Sequence, residues 1–438
     1  MSKLIRTLTF WDLVFLIVGG VIGSGIFLVP GVVLRNTGGS AAVALLVWVC
    51  GGALSLLGAL TYGELSSTHP HAGGLYIFIR DGFGKFPAFL FGWGLFFVMG
   101  SGAVATLSVA FTVYLQEVVP LSAWVAKIIS IGMIATVAAV NVRGTRQSST
   151  LQNWMTSIKV TAILLMSATL LSLGKGYESP DFVFFPSRYE GGLLAGFGVA
   201  VISVLWAYEG WQFVTFSAGE TVDPQRNYPR AFLLGTLILI FIYLLANISY
   251  FTALGTVRSA ATNSIAAVSL SSVLGTWAGK AVSCAILISI FSATNVIVLT
   301  SSRVVYAMAV DGLFFKRMAD VHPVYHTPAI AIVAGSIWAA ILAWTGTFEQ
   351  LLTYVVFGGW IFYVLGAGSI YVFRKRFPVM ENTYRVPGYP LTPFLFILAG
   401  SALVVNTVVA RPVEAIAGIL ILLSGTPAYL FWRSRIGK

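Results

Sequence analysis

Val21-Ile22-Gly23-Ser24-Gly25-Ile26-Phe27 places three small residues inside the first long apolar run of the chain. Each glycine costs roughly 1 kcal/mol of helix propensity relative to alanine, so a helix running through this stretch unwinds cheaply. Unwound backbone is tolerated in hydrocarbon only where protein buries it or where it lines a cavity. A helix broken there presents free N–H groups and a positive half-helix end, which suits an anion such as a carboxylate. The stretch therefore predicts a binding site at membrane depth.

The rest of the composition demands a membrane. Of 438 residues, 58% are hydrophobic and 9% charged, against about 25% charged in a soluble domain. Aromatics make up 14%, with 12 Trp, enough for interfacial belts and for rings that plug a path. The formal charge of +11 does not indicate nucleic acid, because the basic residues are scattered between apolar runs and serve better as topology signals. Cys50 and Cys284 both lie in apolar runs, so neither a structural disulfide nor a metal site is expected. Lys3 and Arg6 precede an apolar run with no small-x-small cleavage site, and residues 1–10 read as a retained tail on the cytoplasmic side.

Windows of about 20 apolar residues give roughly twelve spans, near 11–34, 40–66, 86–117, 122–141, 151–173, 193–218, 231–255, 279–309, 328–345, 350–373, 391–410 and 413–432. With the N-terminus inside, the inner loops collect Arg80, Lys85, Arg143, Arg146, Arg226, Arg230, Lys316, Arg317 and the Arg374-Lys375-Arg376 cluster. The outer loops keep Arg35, Lys175, Arg188, Arg258, Lys280 and Arg411. The excess of positive charge on one side predicts a multi-pass protein of the cytoplasmic membrane with both termini cytoplasmic.

A second interruption, Trp206-Ala207-Tyr208-Glu209-Gly210-Trp211, falls in the sixth span, about 185 residues after the first. Paired broken helices at matching places in two halves point to a midplane binding site. Five spans per half give the halves opposite topology. The expected organisation is one transport domain over 1–438, with inverted repeats at 11–173 and 193–373 and two additional helices at 391–432.

Polar residues inside apolar runs are few enough to weigh singly. Lys159 lies about nine residues into the fifth span, roughly 12 Å along the helix. An intramembrane lysine costs at least about 3 kcal/mol at the centre of an isolated helix, so it must face the bundle. Its ammonium can hold unwound carbonyls together where a sodium ion would sit, carry protons, or act as a tether. Glu209 is the one acid in the sixth-span break; it can answer a substrate cation, couple to a proton, or pair with another span. Trp206 adjoins the break and can cover a ligand. Asp12 and Glu64 sit near inner span ends, where a solvated or gate-pairing role is the default, and Arg303 near an inner end anchors a gate or a lipid headgroup. The four histidines lack metal-ligand spacing, and no nucleophile–base pair, phosphate loop or metal cluster is legible, which argues against an enzyme or an ATP-driven pump. No cofactor is expected.

The motifs resemble the amino acid–polyamine–organocation superfamily, which has the LeuT-type fold. Its first-span signature resembles Gly19-Gly20-Val21-Ile22-Gly23-Ser24-Gly25-Ile26-Phe27 followed by Pro30. Its first inner loop is similar to Tyr62-Gly63-Glu64-Leu65 and Pro70-x-Ala72-Gly73-Gly74-x-Tyr76. Further matches are Asn141-Val142-Arg143-Gly144, Ser301-Ser302-Arg303 with Ala307-x-x-x-Asp311-Gly312, and Ile242-Tyr243-Leu244-Leu245-x-Asn247 with Tyr250-Phe251. Within the superfamily, Lys159 and the aromatic-Ala-Tyr-x-Gly-Trp segment resemble the L-type amino acid transporters (LAT) and their bacterial relatives.

The resemblance implies an all-α integral membrane protein with about twelve helices, broken helices 1 and 6, and a 5+5 inverted repeat plus two. It implies that Ile22, Ser24 and Gly25 hold a substrate α-carboxylate through backbone N–H groups and the Ser24 hydroxyl. The carbonyls of Trp206, Ala207 and Glu209 would accept from the α-ammonium, with Trp206 as the proximal gate. Lys159 would link the first and eighth spans in place of sodium, with Tyr243 in the same network. Many relatives carry glycine where this chain has Glu209, which leaves side-chain specificity and proton coupling open. The implied function is sodium-independent alternating-access transport, with exchange of neutral L-amino acids leading and proton-coupled uptake, of cationic amino acids or polyamines among others, as the alternative. A non-transporting sensor and a channel are less favoured. The implied partners are the amino acid and the lipid bilayer; no accessory subunit is expected, because no outer-loop cysteine is present to link one.

Overall fold

The computed structural model describes residues 4–180, 182–185, 192–345, 348–377, 383–410 and 412–435. Thr9 starts the first helix with a reciprocal cap: its hydroxyl accepts from the Asp12 N–H at 3.3 Å while the Asp12 carboxylate accepts from the Thr9 N–H at 2.8 Å. That helix, α1 (Phe10–Val21), stops at the small-residue stretch, and α2 (Gly25–Asn36) resumes bent by 49°. The predicted break is present.

The chain continues through α3 (Ala41–Thr68), a short α4 (Leu75–Phe83), α5 (Lys85–Gly94) and α6 (Gly100–Gln116), the last two joined by a wide π-turn at Leu95–Met99. Then follow α7 (Ala123–Val142), α8 (Thr145–Leu173) and α9 (Gly192–Ala207). A tight 3-10 segment (Trp211–Glu220) leads into α10 (Pro224–Leu254). Two short helices, α11 (Thr256–Ala261) and α12 (Ile265–Leu274), precede the long α13 (Trp277–Val310). The remainder is α14 (Ala329–Thr345), α15 (Phe348–Arg376), α16 (Leu391–Ala410), α17 (Pro412–Leu423) and α18 (Gly425–Arg433).

Among the described residues, nine helices are long and apolar enough to cross a membrane, and the bent α1–α2 pair makes ten. α14, at 17 residues, is apolar but shorter, and α15 is 29 residues long. The fifth span begins at Thr145 rather than near 151, because Gly144 (φ 143°) turns the chain and Thr145, Ser148, Ser149 and Gln152 on one side of the helix are buried against protein. The seventh begins at Pro224, a residue suited to a first helical turn.

The core forms around α13, whose most apolar window is 72% buried, against 22% for α16 and 28% for Ala415–Arg433. The last helices are thus peripheral. No strand forms among the described residues; one parallel bridge ties Leu8 to Thr221, with the Leu8 N–H on Glu220 O and the Val222 N–H on Leu8 O.

The face of the bundle carrying the N-terminus is locked by ion pairs. Asp12, 1% exposed, accepts from Arg146 and Asn153, and Glu64 accepts two bonds from Arg374 and one from the Val386 N–H. Neither acid is solvated. Tyr76 and Arg80 of α4 both donate to Asp311, past the end of α13.

Candidate functional site

The end of α1 leaves carbonyls with no helical partner, and three other helices supply donors to them. Lys159, on α8 and 2% exposed, sets its ammonium 2.6 Å from Gly19 O and 2.8 Å from Ile22 O. Ser289, on α13, donates to the same Ile22 O at 2.7 Å. Tyr243, on α10, has its hydroxyl 3.1 Å from Val21 O and 2.9 Å from Ala207 O, so one side chain spans both breaks. Burying an ammonium is tolerable only where it is fully engaged by polar partners, and negatively polarised carbonyls at a helix C-terminus supply them.

The second break forms where α9 ends at Ala207. Gly210 adopts φ 129°, a conformation closed to residues with a Cβ, and its N–H is held by the Gln212 side chain at 3.1 Å. The two breaks touch backbone to backbone. A Cβ on Gly25 would lie 3.0 Å from Ala207 Cβ, and one on Gly210 would lie 2.7 Å from Gly20 O.

Between them lies a cavity of about 120 Å³. Gly20, Val21, Gly23, Ser24 and Gly25 line one side, Trp206, Ala207, Glu209 and Gly210 another, and Ala103, Thr106 and Leu107 of α6, Phe213, and Ala293 and Ile297 of α13 the remainder. The Gly25 and Ile26 amides at the start of α2 have no carbonyl of their own helix to meet, as at any helix start, while the Phe27 N–H closes onto Ser24 O at 3.1 Å. The Ser24 hydroxyl makes no capping bond to that helix. The arrangement is suited to hold an anionic group at the α2 start beside carbonyls with acceptor capacity left at the α9 end.

Ser24, Gly25, Trp206, Ala207 and Glu209 come together at this cavity, and Lys159 and Tyr243 stand behind it. Ile22 departs from its expected role. It does not line the cavity, its N–H closes α1 onto Val18 O at 3.0 Å, and its carbonyl is taken by Lys159 and Ser289. The amides available to a carboxylate begin after it. Lys159 bonds the first span alone; the link to the eighth runs through the Ile22 carbonyl that it shares with Ser289. The Ala207 carbonyl already accepts from Tyr243 and the Trp206 carbonyl from the Glu209 N–H, so each has one lone pair left for a ligand.

The Glu209 side chain bonds the Tyr363 hydroxyl of α15 at 3.0 Å through Oε1, while Oε2 is buried without a partner. Arg303 does not reach lipid. It is completely buried, with Nε 2.6 Å and Nη2 3.0 Å from the Glu220 carboxylate, and Thr145 shares the group. Ser289, Glu220, Tyr363 and Thr106 gave no signal in the sequence: a serine or threonine in an apolar helix is ordinary, and the ion pair and the Tyr363 contact join residues far apart in the chain.

Residues 8–424 match the family model described as "Amino acid permease". The chain is 31% identical over 427 residues to the "Serine/threonine exchanger SteT" of Bacillus subtilis (strain 168), covering 96% of this chain and 95% of that protein. It is 29% identical to the human "Cystine/glutamate transporter", covering 98% of this chain and 85% of the other. It is also 29% identical to the mouse "b(0,+)-type amino acid transporter 1", covering 97% and 88%. With a family match across nearly its whole length and an exchanger and two transporters among its relatives, the chain belongs to the amino acid permease family and is a membrane transporter, not an enzyme.

Proposed function

We propose that the protein exchanges small neutral L-amino acids across the cytoplasmic membrane by alternating access, without sodium. The observation that carries the reading is the Lys159 ammonium between Gly19 O and Ile22 O: a fixed cation already occupies the place where unwound carbonyls would otherwise gather a mobile one. The α-carboxylate takes the Ser24 hydroxyl and the first amides of α2, the α-ammonium takes the carbonyls of Trp206, Ala207 and Glu209, and the Trp206 ring closes over the ligand. Lys159 and Tyr243 couple that cradle to the bundle. The modest cavity favours short side chains, in keeping with the serine and threonine named for the Bacillus relative.

In this reading the membrane holds twelve crossings, arranged as inverted repeats at 11–173 and 193–373 with two further helices at 391–432. Both termini are cytoplasmic, which makes the ion-paired face the cytoplasmic one. The transporter works without a disulfide-linked accessory subunit, since Cys50 lies within α3 and Cys284 within α13. Uptake of labelled serine or alanine into proteoliposomes preloaded with unlabelled amino acid tests the proposal. Preloading accelerates uptake, and replacing sodium by choline leaves the rate unchanged. No uptake with or without preloading, under any ion or pH gradient, refutes it.

The unpartnered Glu209 Oε2 favours a second reading, proton-coupled uptake including cationic substrates. In that case a pH gradient drives net accumulation into vesicles that hold no amino acid.

A further inference from the structure

Span 5 grips the first half-helix along its whole length by hydrogen bonds. At the N-terminal face, Asp12 Oδ2 accepts from Arg146 Nη1 at 2.8 Å and Oδ1 from Asn153 Nδ2 at 2.6 Å. One turn deeper, the Thr156 hydroxyl donates to Phe15 O at 3.2 Å. Deeper again, Lys159 takes Gly19 O and Ile22 O. The donors at 153, 156 and 159 recur every three residues and so share one face of α8. Between the rungs the α8 side chains that lie against α1 are polar as well: Gln152 and Thr156 sit on Gly19, where a Cβ would fall 2.2 Å from both Gln152 Nε2 and Thr156 Oγ1.

An interface of this type separates differently from an apolar one. When two apolar faces part, water meets surface it solvates poorly. When this ladder parts, water replaces each donor, and the net cost of a hydrogen bond in water is small. The same seam cannot part into lipid, where nothing replaces the donors. It is therefore built to open into a water-filled path. Asp12 is the rung that water reaches first, because the Arg146 side chain is 55% exposed while that of Asp12 is 2%.

We propose that Asp12 is the latch of this seam: it positions α1 against α8, and its release from Arg146 and Asn153 begins the opening of the cavity toward the N-terminal face. The proposal rests on the alternating-access reading. Asp12 touches no substrate and acts through α1, so it is a positioning residue. Its carboxylate is doubly suited to the place, lying in the first turn of α1, where the helix N-terminus favours negative charge, and answering a cation on the facing helix.

The test uses the full chain in proteoliposomes, with Cys50 and Cys284 replaced by serine and Ala293→Cys as a reporter in the cavity wall. A membrane-impermeant maleimide is applied from each side in turn. Asp12→Asn keeps the shape and removes the charge; Arg146→Gln removes the partner and leaves Asp12 and its cap intact. Both are expected to raise the ratio of labelling from the N-terminal face to labelling from the opposite face by about tenfold, the scale of losing one charge-assisted bond. If that ratio stays at the parent value in both variants while the same two substitutions, made without the reporter cysteine, leave amino acid exchange in place, Asp12 is only a structural cap and the proposal falls. A shift toward the opposite face overturns it too. If the unsubstituted protein moves no amino acid at all, the transport reading itself fails, which the uptake assay reports separately from the labelling ratio.

Discussion

Replacing Lys159 by methionine keeps the length and packing of the side chain and removes the ammonium. Two carbonyl contacts disappear, at 2.6 and 2.8 Å. The loss is unequal: Ile22 O retains the Ser289 hydroxyl, whereas Gly19 O loses the ammonium. A buried carbonyl left without a donor costs about 1–3 kcal/mol, and relief from burying the lysine charge offsets part of it. A net of about 1.4 kcal/mol is a tenfold change in the balance of two states. Because Lys159 stands behind the cradle, that tenfold belongs to the rate of alternation. Exchange at saturating substrate in preloaded proteoliposomes should fall about tenfold or more. The Kd, read from the ligand dependence of thermal unfolding, should move by less than about threefold, since Ser24 and the α2 amides are untouched. The reverse pattern, a Kd raised tenfold with the saturated rate intact, would place Lys159 in the cradle and refute the division between holding and moving.

Other substitutions probe other parts of the site. Gly25→Val puts a branched side chain where even a Cβ lies 3.0 Å from Ala207 Cβ, and Gly210→Ala puts a Cβ 2.7 Å from Gly20 O at φ 129°; both should abolish ligand-induced thermal stabilisation while the protein still runs as a single peak on size exclusion. Arg303→Ala leaves the Glu220 carboxylate buried without its guanidinium, a loss of about 3–5 kcal/mol expected to lower yield and melting temperature sharply, with Arg303→Ala and Glu220→Ala together recovering part of it. Glu209→Gln should leave alanine exchange within about threefold and abolish any net accumulation driven by a pH gradient, because the side chain bonds Tyr363 rather than the cradle; loss of alanine exchange would put the carboxylate in contact with the α-ammonium.

What could be read from the sequence was local or conspicuous. Gly23-Ser24-Gly25 and Gly210 announce themselves because backbone freedom is a property of the residue itself, and both breaks stand where expected. Lys159 is legible because a lone cation in an apolar run has no cheap alternative to the bundle interior. Its partners were half legible: a carbonyl cage follows from the break, but the role of Ser289 does not, since serines in membrane helices commonly bond their own backbone. Glu220–Arg303 and Glu209–Tyr363 were not legible, because each pair joins separate helices and only the fold fixes which acid meets which donor. Ile22 misled for a geometric reason. The helix runs one residue further than the glycines suggest, so the Ile22 N–H is spent on Val18 before the chain opens.

The backbone contact between the two breaks also fixes where the substrate range of this transporter can change. Where Gly20 meets Gly210 and Gly25 meets Ala207 there is no room to add an atom, so the backbone of the two breaks cannot be filled in without parting them. Latitude lies in the side chains around that contact: Trp206 beside the second break, and Ala103, Thr106 and Leu107 of α6 with Ala293 and Ile297 of α13 on the remaining wall. An engineer seeking a bulkier cargo would leave both breaks alone and carve Leu107 and Ile297 instead, and mutational drift toward new nutrients would follow the same course.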